Sequence, residues 1–268
     1  MKNRKILFVS SEVVPYLPES EISSMSFEIP KMVNKQGGQI RIFMPRYGNI
    51  NERRHQLHEV IRLSGLNLVI NDLDMPLIIK VASIPKERIQ VYFIDNEDYF
   101  KRKATFKNSE GKLFEDNDER AIFFAKGVFE TIRRLNWSPD IIHVHGWIAA
   151  LLPLYLKQLY KDEPIFENSK IVTSIYGNEF KKTLNKKMVD KILFDEIDKK
   201  YINELIKPTY ENLMKIAIDS SDAVIKGSEN ISTEICDYLK KFKNPVLEFQ
   251  PTDSFAEPYM DLYNNLLS

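Results

Sequence analysis

The sequence predicts an α/β chain, a single Rossmann-like doubly wound domain with a mostly parallel sheet and a C-terminal helix docked on its core. Three observations carry this. Short apolar runs ("KILFVS", "QIRIFMP", "PDIIHVH", "KIVTSIYG", "DAVIKGS") have the continuous hydrophobicity of strands buried on both faces. Segments with helical spacing stand between them, and strand–helix alternation is the pattern of a parallel sheet covered on both sides. The chain of 268 residues is 43% hydrophobic and 28% charged, enough apolar content for a sizeable core in an ordinary soluble composition.

Taken in order, "KILFVS" is followed by a helix with apolar positions Ile22, Met25, Ile29, Met32 and Val33, ended by Gly37 and Gly38. "QIRIFMP" then closes a βαβ unit, so these strands run parallel. Between residues 57 and 95, β-like runs separated by the turn signals Ser64-Gly65 and Asn71-Asp72 predict an antiparallel excursion that rejoins the parallel sheet at "VYFID". "NDERAIFFAKGVFETIRRL" reads as a helix capped by Asn117 or Asp118. "PDIIHVH" and "KIVTSIYG" are strands flanking a helix at "IAALLPLYLKQLY". Residues 181–217, rich in Lys, Asp and Glu with Ile192, Ile197, Tyr201 and Leu205 at helical spacing, read as a charged helical surface insertion. "DAVIKGS" is a strand leading to a helix at "ENISTEICDYLKKF", and residues 254–267 put Phe255, Tyr259, Leu262, Tyr263, Leu266 and Leu267 on the stripe of a terminal helix.

Composition excludes several function classes. Lys+Arg and Asp+Glu both number 38, so no global field favours nucleic acid or an anionic membrane. Basic clusters such as "KRKATFK" and "KKTLNKK" lack the aromatic interleaving of a nucleic-acid surface. The lone Cys236 excludes an intramolecular disulfide and a cysteine zinc site, and reads as buried filler. His55 and His58 have metal-like helical spacing without a third ligand, so an exposed segment is expected and no metal. The first apolar run is too short for a signal sequence, no stretch approaches a membrane span, and a cytoplasmic location is expected. Only 9 glycines stand against 13 prolines, lean for a phosphate-handling chain, and no G-x-G-x-x-G, P-loop or G-x-S-x-G occurs.

The stretches "KILFVSSEVVPY", "IRIFMPRYG", "VYFIDNEDYFKR", "DNDERAIFFAKG" and "DIIHVHGWIAALLPLYLK" resemble bacterial glycogen and starch synthases, ADP-glucose-dependent glucosyltransferases with two Rossmann-like domains. The resemblance covers residues 4 to about 160 and continues more weakly through "KIVTSIYG" and "SSDAVIKGSENISTEI". It implies that residues 1–268 form one N-terminal domain of that architecture, with a closing helix like "AEPYMDLYNNLL" and without the second, donor domain.

The departures fall on the family's chemistry. The family's Lys-Thr-Gly-Gly-Leu-Gly-Asp loop aligns with Pro18, Glu19, Ser20, Glu21, Ile22, Ser23 and Ser24. That loop holds anions on a lysine and on backbone N–H groups at a helix N-terminus. Two carboxylates there would repel a diphosphate by roughly 1 kcal/mol per charge pair. An acidic helix start, suited to the macrodipole, explains the glutamates. In "HVHGWIA" the family's His-x-His-Asp-Trp-His keeps His143, His145 and Trp147 but has Gly146 for Asp and Ile148 for the last His, an active-site residue by resemblance. "TSIYGNEF" stands where the family has Thr-x-His-Asn, and its His is missing too. Glu196 and Glu204 match the family's E-x7-E spacing without its glycine-containing context and read as a solvated face.

Glu12, Tyr16, His145, Trp147 and Tyr176 are the expected substrate cleft, although a hydrogen-bonded core His and a packed Trp would look the same. No catalytic residue and no cofactor is expected. The implied function is a domain without autonomous glucosyl transfer, a binding or regulatory module for α-glucan or for a protein of glycogen metabolism. The alternative is an active transferase moving glucose from ADP-glucose to an α-1,4-glucan with a separately encoded donor domain. Neither nucleic acid nor membrane is an expected partner, and homo-oligomerisation through the face that a donor domain would cover is a further expectation.

Overall fold

The structure, a computed structural model, describes residues 1–177 and 180–268. β1 (Lys5–Ser10) is buried from Ile6 to Ser10, as a strand covered on both faces must be. α1 (Glu21–Lys35) returns the chain to β2 (Gln39–Pro45), parallel to β1 with Phe8 opposite Ile42. The antiparallel excursion is β3 (His58–Glu59), β4 (Leu66–Ile70) and β5 (Leu73–Ile84); β6 (Ile89–Asp95) then pairs antiparallel with β5 and parallel with β2.

α2 (Glu97–Phe100) is a single turn capped by Asn96, and α3 (Asn117–Leu135) covers the predicted nineteen residues. Its cap position is Asp116, without a side-chain cap, because Asn117 and Asp118 are turned inward. Asn117 Nδ2 donates to the Phe106 carbonyl, and Asp118 pairs with Lys191. β7 (Ile141–His145) lies parallel to β1 on the side away from β2. The predicted long helix after it is a 3-10 turn, Trp147–Ala149, followed by the shorter α4 (Leu152–Gln158) with Pro153 in its first turn.

β8 (Lys170–Ile175) is parallel to β7. α5 (Met188–Leu193), two 3-10 turns and α6 (Tyr210–Asp219) follow. This segment is less of a surface than its charge implies. Met188, Val189, Ile192, Ile197, Ile202 and Leu205 are all buried, and the 3-10 winding gives Ile202 the core position expected of Tyr201, which is 42% exposed. Glu196 and Glu204 are exposed, as a solvated face requires. β9 (Ala223–Lys226) is followed by α7 (Thr233–Leu239), half the expected length, on which Cys236 is half-buried rather than core. β10 (Val246–Leu247), unanticipated from the sequence, extends the sheet beside β9. α8 (Ala256–Leu266) buries Tyr259, Met260, Leu262 and Tyr263 and packs on α1 and β10.

Among the described residues the sheet has ten strands in the order β10-β9-β8-β7-β1-β2-β6-β5-β3, with β4 on β5. From β1 the chain first winds one way, to β2, and later the other way, through β7 and β8. Right-handed crossovers therefore put α1 and α4 on opposite faces. The crevice between the carboxyl ends of β1 and β7 is the switch point where open α/β sheets take ligands. Among the described residues no helix is long and apolar enough to cross a membrane. His55 lies in a turn and His58 opens β3, so their helical spacing does not exist in space, and no group of three metal-ligating residues occurs among the described residues.

Candidate functional site

Beyond β1 the chain makes a loop that ends in a self-contained helix cap. Ser20 Oγ accepts from the Ser23 backbone N–H at 3.0 Å, while Ser23 Oγ accepts from the Ser20 N–H at 2.7 Å. This reciprocal box uses N-terminal donors that would otherwise face solvent or a ligand. Ser20 Oγ also donates to Glu12 Oε2 at 2.6 Å, and Ser228 Oγ donates to the Glu21 carboxylate. Two carboxylates thus flank the first turn of α1, each already holding a serine hydroxyl.

β7 contributes His143 and His145, which share one face of the strand because side chains alternate. Both are fully buried, with ring centroids 4.0 Å apart. His143 Nδ1 bonds the Tyr263 hydroxyl of α8 at 2.6 Å, and its Nε2 bonds Ser174 Oγ of β8 at 2.7 Å. His145 Nδ1 bonds the Tyr176 hydroxyl at 2.8 Å, whereas its Nε2 has no hydrogen-bond partner among the described residues. Burial pushes His145 down to about 3 and, together with the neighbouring His145, pushes His143 well below the usual imidazole range. Both rings are therefore neutral near pH 7 and supply no acidic proton. Tyr176 is held by the Tyr210 hydroxyl donating to its carbonyl, and burial raises its phenol. Close packing over Gly227 helps fix the ring, since a Cβ there would lie 2.6 Å from Tyr176 Cε1.

Gly146 turns the chain out of β7 with φ +80°. A side chain here would be strained and would collide with Ser11 Oγ, so the aspartate of the resembled motif has no room. Ile148 is fully buried, part of the core rather than of an open edge. Trp147 is 2% exposed and packs against Phe106 and Phe180, centroids 4.7 and 5.2 Å away.

Of the five predicted cleft residues, the structure joins His145 to Tyr176 and gives the other three separate surroundings. Glu12 is half-buried at the helix cap, Trp147 lies in the aromatic core, and Tyr16 packs edge-on against His55 and Phe93. Burial raises the Tyr16 phenol, whose oxygen is buried without a partner among the described residues. Asn178 and Glu179 of the "TSIYGNEF" stretch lie outside the described residues. Sequence reasoning missed Ser174 and Tyr263, which complete the histidine network from distant parts of the chain. It also missed the cap, whose Ser-x-x-Ser spacing at Ser20 and Ser23 was a legible signal.

Residues 5–244 match the family model described as the starch synthase catalytic domain. The chain is 40% identical over 197 residues to the glycogen synthase of Chlorobium luteolum, covering 73% of this chain and 40% of that one. It is 35% identical over 237 residues to the glycogen synthase of Chlorobium phaeovibrioides, covering 87% and 47%. The chain thus spans less than half the length of these relatives. The solved catalytic domain of Starch Synthase IV from Arabidopsis thaliana, bound to ADP and acarbose, shares the fold with a TM-score of 0.73 over 92% of this chain and 51% of that one, at 16% identity. On the family match and these identities together, the chain belongs to the starch and glycogen synthase family.

Proposed function

We propose that this chain is a member of the family without autonomous glucosyl transfer, acting as an α-glucan-binding module. The observation that carries the reading is the helix start at Pro18–Glu21. Two of its donors close on Ser23 and Ser20, and Glu12 and Glu21 stand beside it where a diphosphate would need cations and open N–H groups. His145, neutral and fully buried, and Ile148 add no proton donor beside a glycosidic oxygen. Glucan is the substrate class consistent with family membership once the nucleotide sugar is set aside.

The test is a coupled assay of ADP release with ADP-glucose and glycogen, run beside a titration with maltoheptaose. The expected result is no turnover above background with saturable glucan binding. Turnover that disappears when His145 and Tyr176 are substituted would refute the proposal.

One observation favours a second reading, an active transferase completed by a separately encoded donor domain. Ser11 Oγ, Tyr16 Oη and His145 Nε2 are buried near the carboxyl edge of the sheet without partners among the described residues, as in a site that a second surface finishes. It predicts that mixing with such a domain generates ADP release, and failure of the two to associate removes it.

A further inference from the structure

Arg120 lies near the start of α3 and is fully buried. Burial lowers its guanidinium to about 10, which still leaves it charged at pH 7. A buried charge is costly unless a group of opposite sign sits against it. The acidic residues close to Arg120 in sequence are committed elsewhere: Arg102 takes both oxygens of Asp116, and Lys191 pairs with Asp118 and Glu119. Among the described residues its hydrogen-bond acceptor is Asn117 Oδ1, 2.6 Å from Nη1, and Nε and Nη2 have none. Nε and Nη2 form one edge of the planar guanidinium, the edge that an anion takes with two parallel hydrogen bonds. The open part of Arg120 is therefore its anion-binding edge.

Aromatic rings surround the cation. Its central carbon is 5.0 Å from the ring centroid of Phe100, 5.5 Å from that of Phe114 and 5.7 Å from that of Tyr47. Ring faces attract a cation but offer its N–H groups no lone pair. Tyr47 is fully buried as well, and its hydroxyl has no partner among the described residues. Arg102 adds a buried Nε in the same condition, and its charge disfavours that of Arg120. Three guanidinium nitrogens and one hydroxyl, all able to donate, are thus left without an acceptor.

The chemistry of these groups narrows the ligand class. A water molecule could accept from the open edge, but it brings two donors of its own into a cluster short of acceptors, and no charge. An anion accepts from every side and neutralises the excess. Full burial of Arg120 and Tyr47 limits it to a small ion, and the apolar rings favour a single charge that gives up its water readily.

We infer that the Nε and Nη2 edge of Arg120, with the Tyr47 hydroxyl, holds a small monovalent inorganic anion such as chloride. Tyr47 follows β2, Phe100 ends α2 and Phe114 precedes α3, so one ion ties together three segments beyond the carboxyl ends of β2 and β6. Its occupancy sets how firmly these segments, which border the crevice, are held. The inference goes beyond the glucan-binding reading and stands without it.

Thermal melts of the full chain in potassium chloride and in potassium gluconate at equal ionic strength test it, in wild type, Arg120→Met and Tyr47→Phe. Gluconate is too bulky for an enclosed site. Chloride is expected to raise the wild-type melting temperature by about 2–4 °C relative to gluconate. Arg120→Met keeps an unbranched side chain in the same space and should melt alike in the two salts. Tyr47→Phe keeps the ring, removes one donor and is expected to weaken the anion about tenfold, read as a higher midpoint of the chloride dependence. Should Arg120→Met fail to fold, Tyr47→Phe carries the test. Equal wild-type melting in the two salts, or a chloride dependence that either folded variant keeps unchanged, would overturn the inference.

Discussion

Lowering the pH from 7.5 to 5 should destabilise this protein through the histidines of β7, and by a calculable amount. His145 sits at about 3 in the folded chain against about 6.5 when unfolded. Between those values the unfolded state binds more protons, so stability is fully present above pH 6.5 and is lost as pH falls. At pH 5 the unfolded imidazole is almost fully protonated and the folded one almost not at all, which amounts to about 2 kcal/mol. A folded value one pH unit higher would change this by less than about 0.1 kcal/mol, because pH 5 still lies above it. His143 acts in the same direction, by burial first and by the neighbouring His145 second. The assay is urea unfolding followed by the fluorescence of Trp137 and Trp147, both buried, at pH 7.5 and 5 in wild type and His145→Gln. The variant should lose about 2 kcal/mol less than wild type over this range. Equal losses in the two proteins would refute the claim that His145 is buried and neutral.

Four substitutions test other parts of the argument. Lys191→Ala should cost about 3–5 kcal/mol in urea unfolding, because the lysine is 2.6 Å from the fully buried Asp118 and 2.7 Å from Glu119. Burial raises the Asp118 carboxyl against the pull of this one lysine; burial opposes the charge on Lys191 as well, yet the hydrogen bonds it donates to two carboxylates raise it. Tyr263→Phe should leave His143 Nδ1 without its hydroxyl, cost about 1–3 kcal/mol and speed proteolytic release of α8. Gly146→Ala should cost about 1–3 kcal/mol from the positive-φ backbone alone, before the clash with Ser11. Ser20→Ala should lower stability by about 1 kcal/mol, read as a lower urea midpoint at unchanged slope.

The sheet was legible because its central strands carry one unambiguous signal. Ile6–Val9 and Ile141–Val144 are buried on both faces, so composition alone marks them, and the antiparallel excursion declared itself through Ser64-Gly65 and Asn71-Asp72. Misreadings came where tertiary contact overrode local pattern. Asn117 and Asp118 are good capping residues, yet Phe106 and Lys191, distant in sequence, take their side chains inward. Lysines and acids in 181–217 masked a buried row because the 3-10 turns shift its phase from the α-helical one by a residue. At the candidate site, the sequence reading marked His145 and its partner Tyr176 but not Ser174 and Tyr263, the partners of His143. Tyr263 lies 120 residues from His143 in sequence, and no local spacing encodes a contact of that range.

A helix N-terminus has a fixed number of free donors, and how they are used decides what the helix can hold. With glycine beside it, the first turn of such a helix leaves its N–H groups open to a ligand anion. Ser20 and Ser23 instead direct two of those N–H groups to side-chain oxygens of the same turn, and Glu21 supplies the negative charge that the macrodipole favours. The two uses compete, since an anion arriving at α1 would find two of the four donors taken and would approach Glu12 and Glu21 as well. The cap contributes about 1 kcal/mol, and each carboxylate would add repulsion of about the same size against an incoming phosphate. The same residues that stabilise the start of α1 therefore disfavour an anion beside it, and a lysine at position 18 would supply one cation while the two donors of the box stay closed.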